Sequence, residues 1–159
     1  MTPPSAEAVA ATPLAWVRGG FRISTDPARL DLGLIHGFLS GSYWARGIPR
    51  EVVERSIRGS LCFGVYEEGG PQVGFARVIT DRATFAYLAD VFVLESHRGR
   101  GLSKWLLERI LAHPDLQGLR RFLLGTKDAH GLYARFGFAP PKDPSLWMEV
   151  FRPDVYRTS

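Results

Sequence analysis

Two arginines and two glycines alternate at Arg98, Gly99, Arg100 and Gly101, between an apolar segment and a second segment whose apolar residues have helical spacing. A helix N-terminus carries about half a positive charge and several N–H groups without partners. Glycines allow a ligand to approach the backbone closely, and arginines add positive charge. This pattern predicts a site for a phosphate, and for more than one phosphate group.

The glycine spacing excludes two common nucleotide sites. A dinucleotide-binding Gly-x-Gly-x-x-Gly motif needs a glycine where this chain has Lys104, and a P-loop needs Gly-Lys-Ser/Thr. A nucleoside triphosphate is therefore not expected, whereas a cofactor that carries a diphosphate fits the pattern. A Gly-x-Gly turn also occurs as a plain connection between a strand and a helix, and the spacing alone leaves that interpretation open.

Hydrophobic periodicity predicts the elements that position this turn. Period-two segments at 61–67 and 72–81 flank Glu-Gly-Gly-Pro, and the long apolar segment 83–95 follows, which predicts three antiparallel strands with the third covered on both faces. The predicted order of the whole chain is β, α, α, β, β, β, α, β, α, β. The remaining strands are predicted over 16–26, 119–126 and 146–151, and the helices over 28–39, 49–59, 101–113 and 128–136.

Length and composition predict one globular domain. The chain has 159 residues, of which 45% are hydrophobic and 23% charged. Residues 1–13 are rich in Pro and Ala without apolar periodicity, so we expect a flexible tail followed by a domain over 14–159. The net charge of +4 is mild and the arginines are dispersed, which favours solvated surface over a nucleic-acid site.

Several other sites are absent from the sequence. The single cysteine, Cys62, excludes an internal disulfide, and no Cys/His cluster has the spacing of a zinc site. No N-terminal signal and no apolar run long enough to span a membrane are visible. We therefore expect a cytoplasmic protein with no metal, no nucleic-acid partner and no membrane association.

Two segments together resemble the GNAT superfamily of acyl-CoA-dependent N-acyltransferases. After an apolar strand the family has the pattern Arg/Gln-x-x-Gly-x-Gly/Ala, and the corresponding residues here are Arg98, Gly99, Arg100, Gly101, Leu102 and Ser103, with Ser103 in place of Gly/Ala. The segment "GTKDAHGLYARFGF" is similar to the family pattern Asn-x-x-Ala-x-x-Leu-Tyr-x-x-x-Gly-Phe, with Thr126 in place of Asn. The resemblance covers residues 61–150.

The resemblance implies an α+β fold with a mixed, mostly antiparallel sheet that is flanked by helices and splayed at the cofactor site. It implies that acetyl-CoA donates an acetyl group to an amine that attacks directly within a ternary complex. It also implies that a free N–H near Phe92 or Val93 faces the thioester carbonyl. The cofactor-binding residues implied are Val91, Phe92, Val93, Arg98, Gly99, Arg100, Gly101, Leu102, Ser103, Thr126 and Tyr133.

Acyl transfer to an amine requires a base for the ammonium proton and an acid for the departing thiolate. Tyr133 stands at the position of the family's general acid. Asp90 lies inside an apolar strand, where an unpaired carboxylate is costly, so a structural hydrogen bond and a role as the base are both open. Glu95, His36 and a chain of water molecules are further candidates for the base.

Tyr43 and Trp44 lie between the first two predicted helices, a region that borders the acceptor in the family. They are candidates for stacking on a planar or apolar amine, and capping the edge of the core is the alternative. We expect a small-molecule or peptide amine as acceptor, and a monomer or a homodimer. Two other functions stay open: a catalytically silent acyl-CoA-binding regulatory domain, and a nucleic-acid-binding module.

Overall fold

The computed structural model describes residues 12–157, so the predicted tail lies outside the described residues except for its last two positions. One six-stranded sheet has the order β1-β2-β3-β4-β5-β6. The strands are β1 (Ala15–Arg18), β2 (Phe21–Ser24), β3 (Leu61–Glu67), β4 (Gln72–Thr80), β5 (Phe85–Val93) and β6 (Arg121–Leu124). The helices are α1 (Leu32–Ser40), α2 (Arg50–Arg58), α3 (Leu102–Leu111) and α4 (His130–Ala134).

The sheet is mixed and mostly antiparallel, which confirms the predicted fold class. Strands β1 to β5 pair with their neighbours in antiparallel fashion. Strand β6 pairs with β5 in parallel, because α3 provides the crossover between them. The three consecutive strands β3, β4 and β5 have the bounds that the sequence predicts, to within two residues.

Two apolar clusters cover the two faces of the sheet. On one face α3 buries Trp105, Leu106 and Ile110 against inward side chains of β3, β4 and β5. On the other face α1 and α2 bury Ile35 and Val53 against a second set of strand side chains. As predicted, β5 therefore carries apolar side chains into both clusters, and its backbone is supported from both sides.

The sheet opens between β5 and β6. Their pairing extends only from Phe85 opposite Arg121 to Leu88 opposite Leu124, whereas β5 continues to Val93. On its other side β5 remains paired with β4, where the register shifts between Phe75 and Arg77. The last five residues of β5 thus have a strand neighbour on one side only, and they line a gap that we call the β5–β6 gap.

The predictions at the two ends of the chain need correction. The single strand predicted over 16–26 is two strands, because Gly19 and Gly20 both adopt positive φ and form a turn. The first helix begins at Leu32 and not at residue 28, since the Asp31 carboxylate accepts a hydrogen bond from the Leu34 N–H and caps the helix there.

The closing strand predicted over 146–151 is wrong. Pro144–Leu146 form a single 3₁₀ turn, and residues 147–152 have no regular structure. A strand forms only where another backbone supplies hydrogen-bond partners. The Arg121 guanidinium lies 4.6 Å from the centre of the Trp147 ring, so this segment crosses a side chain of β6 and does not pair with the β6 backbone.

Candidate functional site

The turn between β5 and α3 contains two residues that require glycine. Gly99 and Gly101 have φ of 79° and 75°, a left-handed conformation that side chains disfavour. A Cβ atom built at either position meets no other atom within 4 Å. The glycines are therefore required by the backbone conformation and not by crowding within the chain, and the space beside them is open to a ligand.

The first turn of α3 is suited to an anion. Gly101 is the N-cap and, having no side chain, makes no capping hydrogen bond to the first-turn N–H groups. Leu102 is buried and anchors the helix start, while the half-buried Ser103 follows it. Arg98 and Arg100 are exposed, and among residues 12–157 neither forms an ion pair with a carboxylate. Their charge is thus available at this helix end.

Two side chains hold the turn in place. The Arg98 Nε donates a hydrogen bond of 3.2 Å to the Val93 carbonyl, so Arg98 fastens the turn to the end of β5 as well as carrying charge. The His97 Nε2 donates to the Glu67 carboxylate at 2.7 Å, which ties the same turn to β3. The glycine turn therefore has a defined position relative to the sheet.

Strand β5 presents alternate backbone groups to the β5–β6 gap. The Phe92 carbonyl lies on the β4 side, 3.0 Å from the Cβ position of Gly74. Because the N–H and C=O of one antiparallel strand residue point to the same neighbour, those of Val91 and Val93 face the gap. The Val93 carbonyl already accepts the Arg98 bond, which leaves the Val93 N–H and both polar groups of Val91 on this side.

The side chains of these residues pack into the two cores. Val91 and Val93 contact the cluster under α3, whereas Phe92 belongs to the cluster under α1 and α2. The Phe92 ring stacks on Phe38 of α1, with 3.9 Å between ring centroids. The backbone at the gap is thus held from both faces, and Phe92 acts on the gap through packing.

Asp90 is the residue at which β5 bulges. Its φ of 57° is left-handed, a conformation that Asp and Asn tolerate better than other side chains. Its Oδ2 accepts a 2.8 Å hydrogen bond from Arg77 Nε, and its Oδ1 accepts one of 2.9 Å from Trp44 Nε1. The side chains of Asp90 and Arg77 are 8% and 15% exposed. Both carboxylate oxygens are therefore engaged in a mostly buried ion pair and an indole contact.

Tyr43 and Trp44 attach the loop between α1 and α2 to both sides of the gap. Trp44 bonds Asp90 on β5, and the Tyr43 hydroxyl accepts a 3.1 Å hydrogen bond from the backbone N–H of Lys127, just beyond β6. The Lys127 ammonium lies 5.6 Å from the centre of the Tyr43 ring. Both aromatic side chains remain about half exposed, so they offer apolar surface to solvent beside the gap.

Tyr133 lies on α4 and is half-buried against the cluster under α3. Burial raises the pKa of its phenol, with smaller contributions from Tyr43 and Asp128. The phenol therefore keeps its proton at neutral pH and is able to donate it. The Thr126 hydroxyl accepts a hydrogen bond of 3.1 Å from the Ala129 N–H and shapes the turn that leads into α4.

Of the other candidates for the base, one is engaged in a hydrogen bond and one is exposed to solvent. His36 Nε2 donates a 3.0 Å hydrogen bond to the Ile48 carbonyl, and Glu95 is exposed at the end of β5. Cys62 lies closer to the site than its sequence position suggests, because it pairs with Arg77 across β3 and β4. Burial raises the pKa of its thiol to about 12, so a thiolate nucleophile is absent at neutral pH.

Sequence reasoning did not identify Arg77, Lys127 and Phe38, which hold the site residues in place. Arg77 had a signal in the sequence, since it is a cation within a mostly apolar predicted strand that neighbours the strand of Asp90. Within residues 12–157, no cluster of three His, Cys, Asp or Glu side chains is arranged to hold a metal. In the same range no helix has the length and apolar composition to cross a membrane.

Comparisons with known proteins agree with this geometry. The family model described as an acetyltransferase (GNAT) domain matches residues 58–140. A candidate acetyltransferase from Gibberella zeae is 37% identical, in a match that covers 77% of this chain and 81% of that protein.

Solved structures give the same result. A candidate GNAT-family acetyltransferase from Xanthomonas campestris pv. campestris has a TM-score of 0.84 at 59% identity, covering 87% of this chain and 97% of that one. A candidate acetyltransferase from Deinococcus radiodurans R1, 21% identical with a TM-score of 0.68 over 86% and 92% of the two chains, shares the fold. Because the family model matches more than half of its residues, this chain belongs to the GNAT family of acetyltransferases.

Proposed function

We propose that this protein transfers an acetyl group from acetyl-CoA to an amine of a small molecule or peptide, by direct attack within a ternary complex. The observation that carries the proposal is that the β5–β6 gap leads along Val91 and Val93 to the uncapped N-terminus of α3. An extended acyl-pantetheine arm needs an open strand edge, and the diphosphate at its end needs an anion site next to that edge. Nucleic acid and membrane have no part in this proposal.

The residues present fit acetyl-CoA, which supplies an activated acetyl thioester. Open space beside Gly99 and Gly101 admits phosphate oxygens to the first-turn N–H groups of α3, and Arg98 and Arg100 balance their charge. The Val91 carbonyl and the Val93 N–H bind the amides of the pantetheine arm, which leaves the Val91 N–H for the reacting carbonyl. This N–H group stabilises negative charge on the reacting carbonyl, an effect worth about 10² to 10³ in rate for one donor.

Tyr133 is the general acid in this proposal. A phenol whose pKa is raised by burial stays protonated across the neutral range, and it donates a proton to the departing sulfur. Asp90 is the residue that holds the acceptor loop and not the base, because both of its oxygens already accept hydrogen bonds. The ammonium proton of the acceptor leaves through water beside the half-exposed Tyr43 and Trp44, and the nitrogen of the tetrahedral intermediate loses its second proton, which restores the Tyr133 phenol through solvent.

A turnover screen tests the proposal. Release of CoA thiol is measured with acetyl-CoA and a panel of polyamines, aminoglycosides, arylamines, amino acids and peptide N-termini, next to calorimetry of CoA binding. We expect at least one amine class to give amine-dependent thiol release together with the acetylated product. CoA binding without turnover on any class would instead identify a silent acyl-CoA-binding domain, and absence of CoA binding would reject the site itself.

A further inference from the structure

Three apolar side chains form a row across the sheet on the face of α1 and α2. Ile79, Tyr87 and Leu123 lie opposite one another on β4, β5 and β6. Residues opposite each other in a sheet point to the same face. The next residues on β5 and β6, Leu88 and Leu124, pack into the cluster under α3, so the row points to the other face. We call Ile79, Tyr87 and Leu123 the apolar row.

The helices on this face stop short of the apolar row. None of its three residues belongs to either core cluster of the chain between residues 12 and 157. Ile79 is 42% exposed, and Tyr87 and Leu123 are partly exposed. A single exposed apolar side chain is ordinary, but apolar neighbours left open on three adjacent strands mark a binding surface.

The apolar row is continuous with the β5–β6 gap. The Tyr87 hydroxyl lies 3.5 Å from the Cβ position of Gly125, the residue that follows β6. The phenol therefore points along the sheet toward the gap. Trp44 stands at the same place, because its indole bonds Asp90 at the bulge of β5. A ligand that lies on the row is thus beside the residues that border the gap.

The distance from the row to the proposed thioester is short. The last pair of β5 and β6 is at Leu88, which places Gly125 level with Ala89. Val91 is two residues farther along β5, a distance of about 7 Å in a strand. A ring beside the Tyr87 phenol and an amine at Val91 are therefore joined by a short alkyl chain.

The charges beside the row disfavour an acceptor with several amines. The next residues on the same face along β4 and β6 are the cations Arg77 and Arg121. The Asp90 carboxylate already accepts hydrogen bonds from Arg77 and Trp44. A second ammonium on the row would meet apolar surface and like charge, which costs free energy. An uncharged ring instead buries apolar area there.

We propose that the apolar row determines acceptor specificity and selects a primary amine that a short alkyl chain joins to an aromatic ring. The ring packs on Ile79, Tyr87 and Leu123 beside Trp44, and the amine reaches the thioester at Val91. This inference rests on the acetyl transfer proposed above and names the class of its acceptor.

Three amines test the selection in the parent protein. Steady-state kinetics with acetyl-CoA compare phenethylamine with propylamine, which lacks the ring, and with putrescine, which has a second amine in place of the ring. Burial of the ring should make kcat/KM about 10- to 100-fold higher for phenethylamine than for propylamine. Putrescine should be no better than propylamine. Equal kcat/KM for phenethylamine and propylamine overturns the proposal, and so does a preference for putrescine.

An acid on the row should reverse the selection. Ile79→Glu places a carboxylate at an exposed position, where the fold tolerates it. We expect kcat/KM to fall at least about tenfold for phenethylamine and to rise for putrescine, with propylamine and CoA affinity within about twofold of the parent. Val17→Glu is the matched control, because Val17 is 57% exposed on β1 at the far edge of the sheet. An Ile79→Glu protein with the parent's preference overturns the proposal.

Binding measurements separate this inference from the acetyl transfer on which it rests. Calorimetry titrates phenethylamine and propylamine into the protein saturated with CoA, and we expect phenethylamine to bind more tightly and Ile79→Glu to remove the difference. If no amine turns over but phenethylamine binds in this way, the proposed function fails and the selective surface stands. Turnover of other amines without binding of phenethylamine overturns the inference and leaves acetyl transfer intact. Absence of both overturns both.

Discussion

Trp44 and Asp90 are joined by a hydrogen bond of 2.9 Å from the indole Nε1 to the carboxylate Oδ1. The bond fastens the loop between the first two helices to the bulge of β5. Arg77 holds the other oxygen of the same carboxylate, so a single acid fixes the strand bulge and the loop together. Its left-handed backbone places the carboxylate where both donors reach it.

Replacing Asp90 separates this holding role from base catalysis. Asp90→Asn keeps a side chain that tolerates left-handed φ but removes the charge that pairs with the mostly buried Arg77. We expect a loss of about 1.5–3 kcal/mol in the free energy of unfolding, the range for a hydrogen bond to a charged group. Urea denaturation measures it. Asp154→Asn breaks the exposed pair with Arg157 and serves as the control, with a loss below about 0.5 kcal/mol.

Kinetics of the same variant test the assignment further. If Asp90 holds the loop, Asp90→Asn retains turnover with the same acidic limb in its pH profile and a higher KM for the acceptor. A base role predicts instead that kcat falls by at least 10² and that the acidic limb disappears. That second result would contradict the holding role.

Removing the Tyr133 hydroxyl tests the general acid. Tyr133→Phe keeps the half-buried ring and should leave folding and CoA affinity unchanged, while kcat falls by about 10² to 10⁴. Steady-state and single-turnover kinetics measure the effect. Tyr66→Phe is the control, because the Tyr66 hydroxyl is buried without a hydrogen-bond partner among the described residues. Equal kcat in the parent and Tyr133→Phe, with chemistry rate-limiting, would make Tyr133 a packing residue only.

A matched pair of glycines separates backbone strain from ligand contact. Gly101 and Gly118 have φ of 75° and 70°, and an added Cβ at either meets nothing within 4 Å. Gly101→Ala and Gly118→Ala should therefore each lower the free energy of unfolding by about 1–2 kcal/mol. Only Gly101→Ala should weaken CoA binding in calorimetry. Equal CoA affinity in both variants would place the phosphates elsewhere.

The two arginines of the turn should differ in their effects. Arg100→Ala removes an exposed charge and should raise the KM for acetyl-CoA by about 2- to 5-fold, the equivalent of 0.5–1 kcal/mol for an exposed ion pair. Arg98→Ala also breaks the bond to the Val93 carbonyl, so it should additionally lower stability. Both KM effects should shrink at high salt. Arg58→Ala on α2 is the control, and a KM change of the same size there would indicate a nonspecific charge effect.

Cys62 predicts how stability depends on alkaline pH. Its pKa rises from an ordinary 9.0 to about 12 in the folded chain because the thiol is buried. The folded state thus holds this proton more tightly than the unfolded state, so the contribution of Cys62 to stability should be constant below pH 9 and fall between pH 9 and 12. The slope is at most about 1.4 kcal/mol per pH unit from this group. Denaturation at pH 8–10.5 measures it.

The control for this dependence is Cys62→Ala. The substitution lowers stability at every pH through the cavity it leaves, but the extra slope above pH 9 should disappear. An identical slope in both proteins would show that other groups, among them Tyr66 with a pKa raised to about 12, account for all of it.

The central part of the fold follows from local sequence patterns, and the supports of the site do not. The strands at 61–67 and 72–80 and the turn at Gly99 and Gly101 were predicted correctly. Each is specified by residues that are close together in the sequence. The contacts of Asp90 with Arg77 and Trp44 join residues 13 and 46 positions apart, and no local pattern specifies such partners. The left-handed φ of Asp90 could not be predicted from the sequence either, because the bulge results from the register between β4 and β5.

The error at 146–151 has a different cause. The residues there, Leu-Trp-Met-Glu-Val-Phe, are able to form a strand, but strand formation also needs the edge of another strand with which to pair. Within one chain that edge is left unused, since Trp147 instead packs against the Arg121 guanidinium. Sequence patterns therefore predict whether a segment is able to form a strand, and the strand edges available to it determine whether it does.

The stacking of Phe92 on Phe38 is a second link, besides the Trp44–Asp90 hydrogen bond, between the two proposed ligand sites. Phe92 belongs to the strand whose backbone faces the acyl donor in our proposal, and Phe38 belongs to the helix that leads into the loop proposed to contact the acceptor. An acceptor that orders this loop would also reduce the motion of the strand end. Donor and acceptor should then each increase the affinity of the other by the same factor, because binding linkage is reciprocal. The protein would favour the ternary complex over either binary complex.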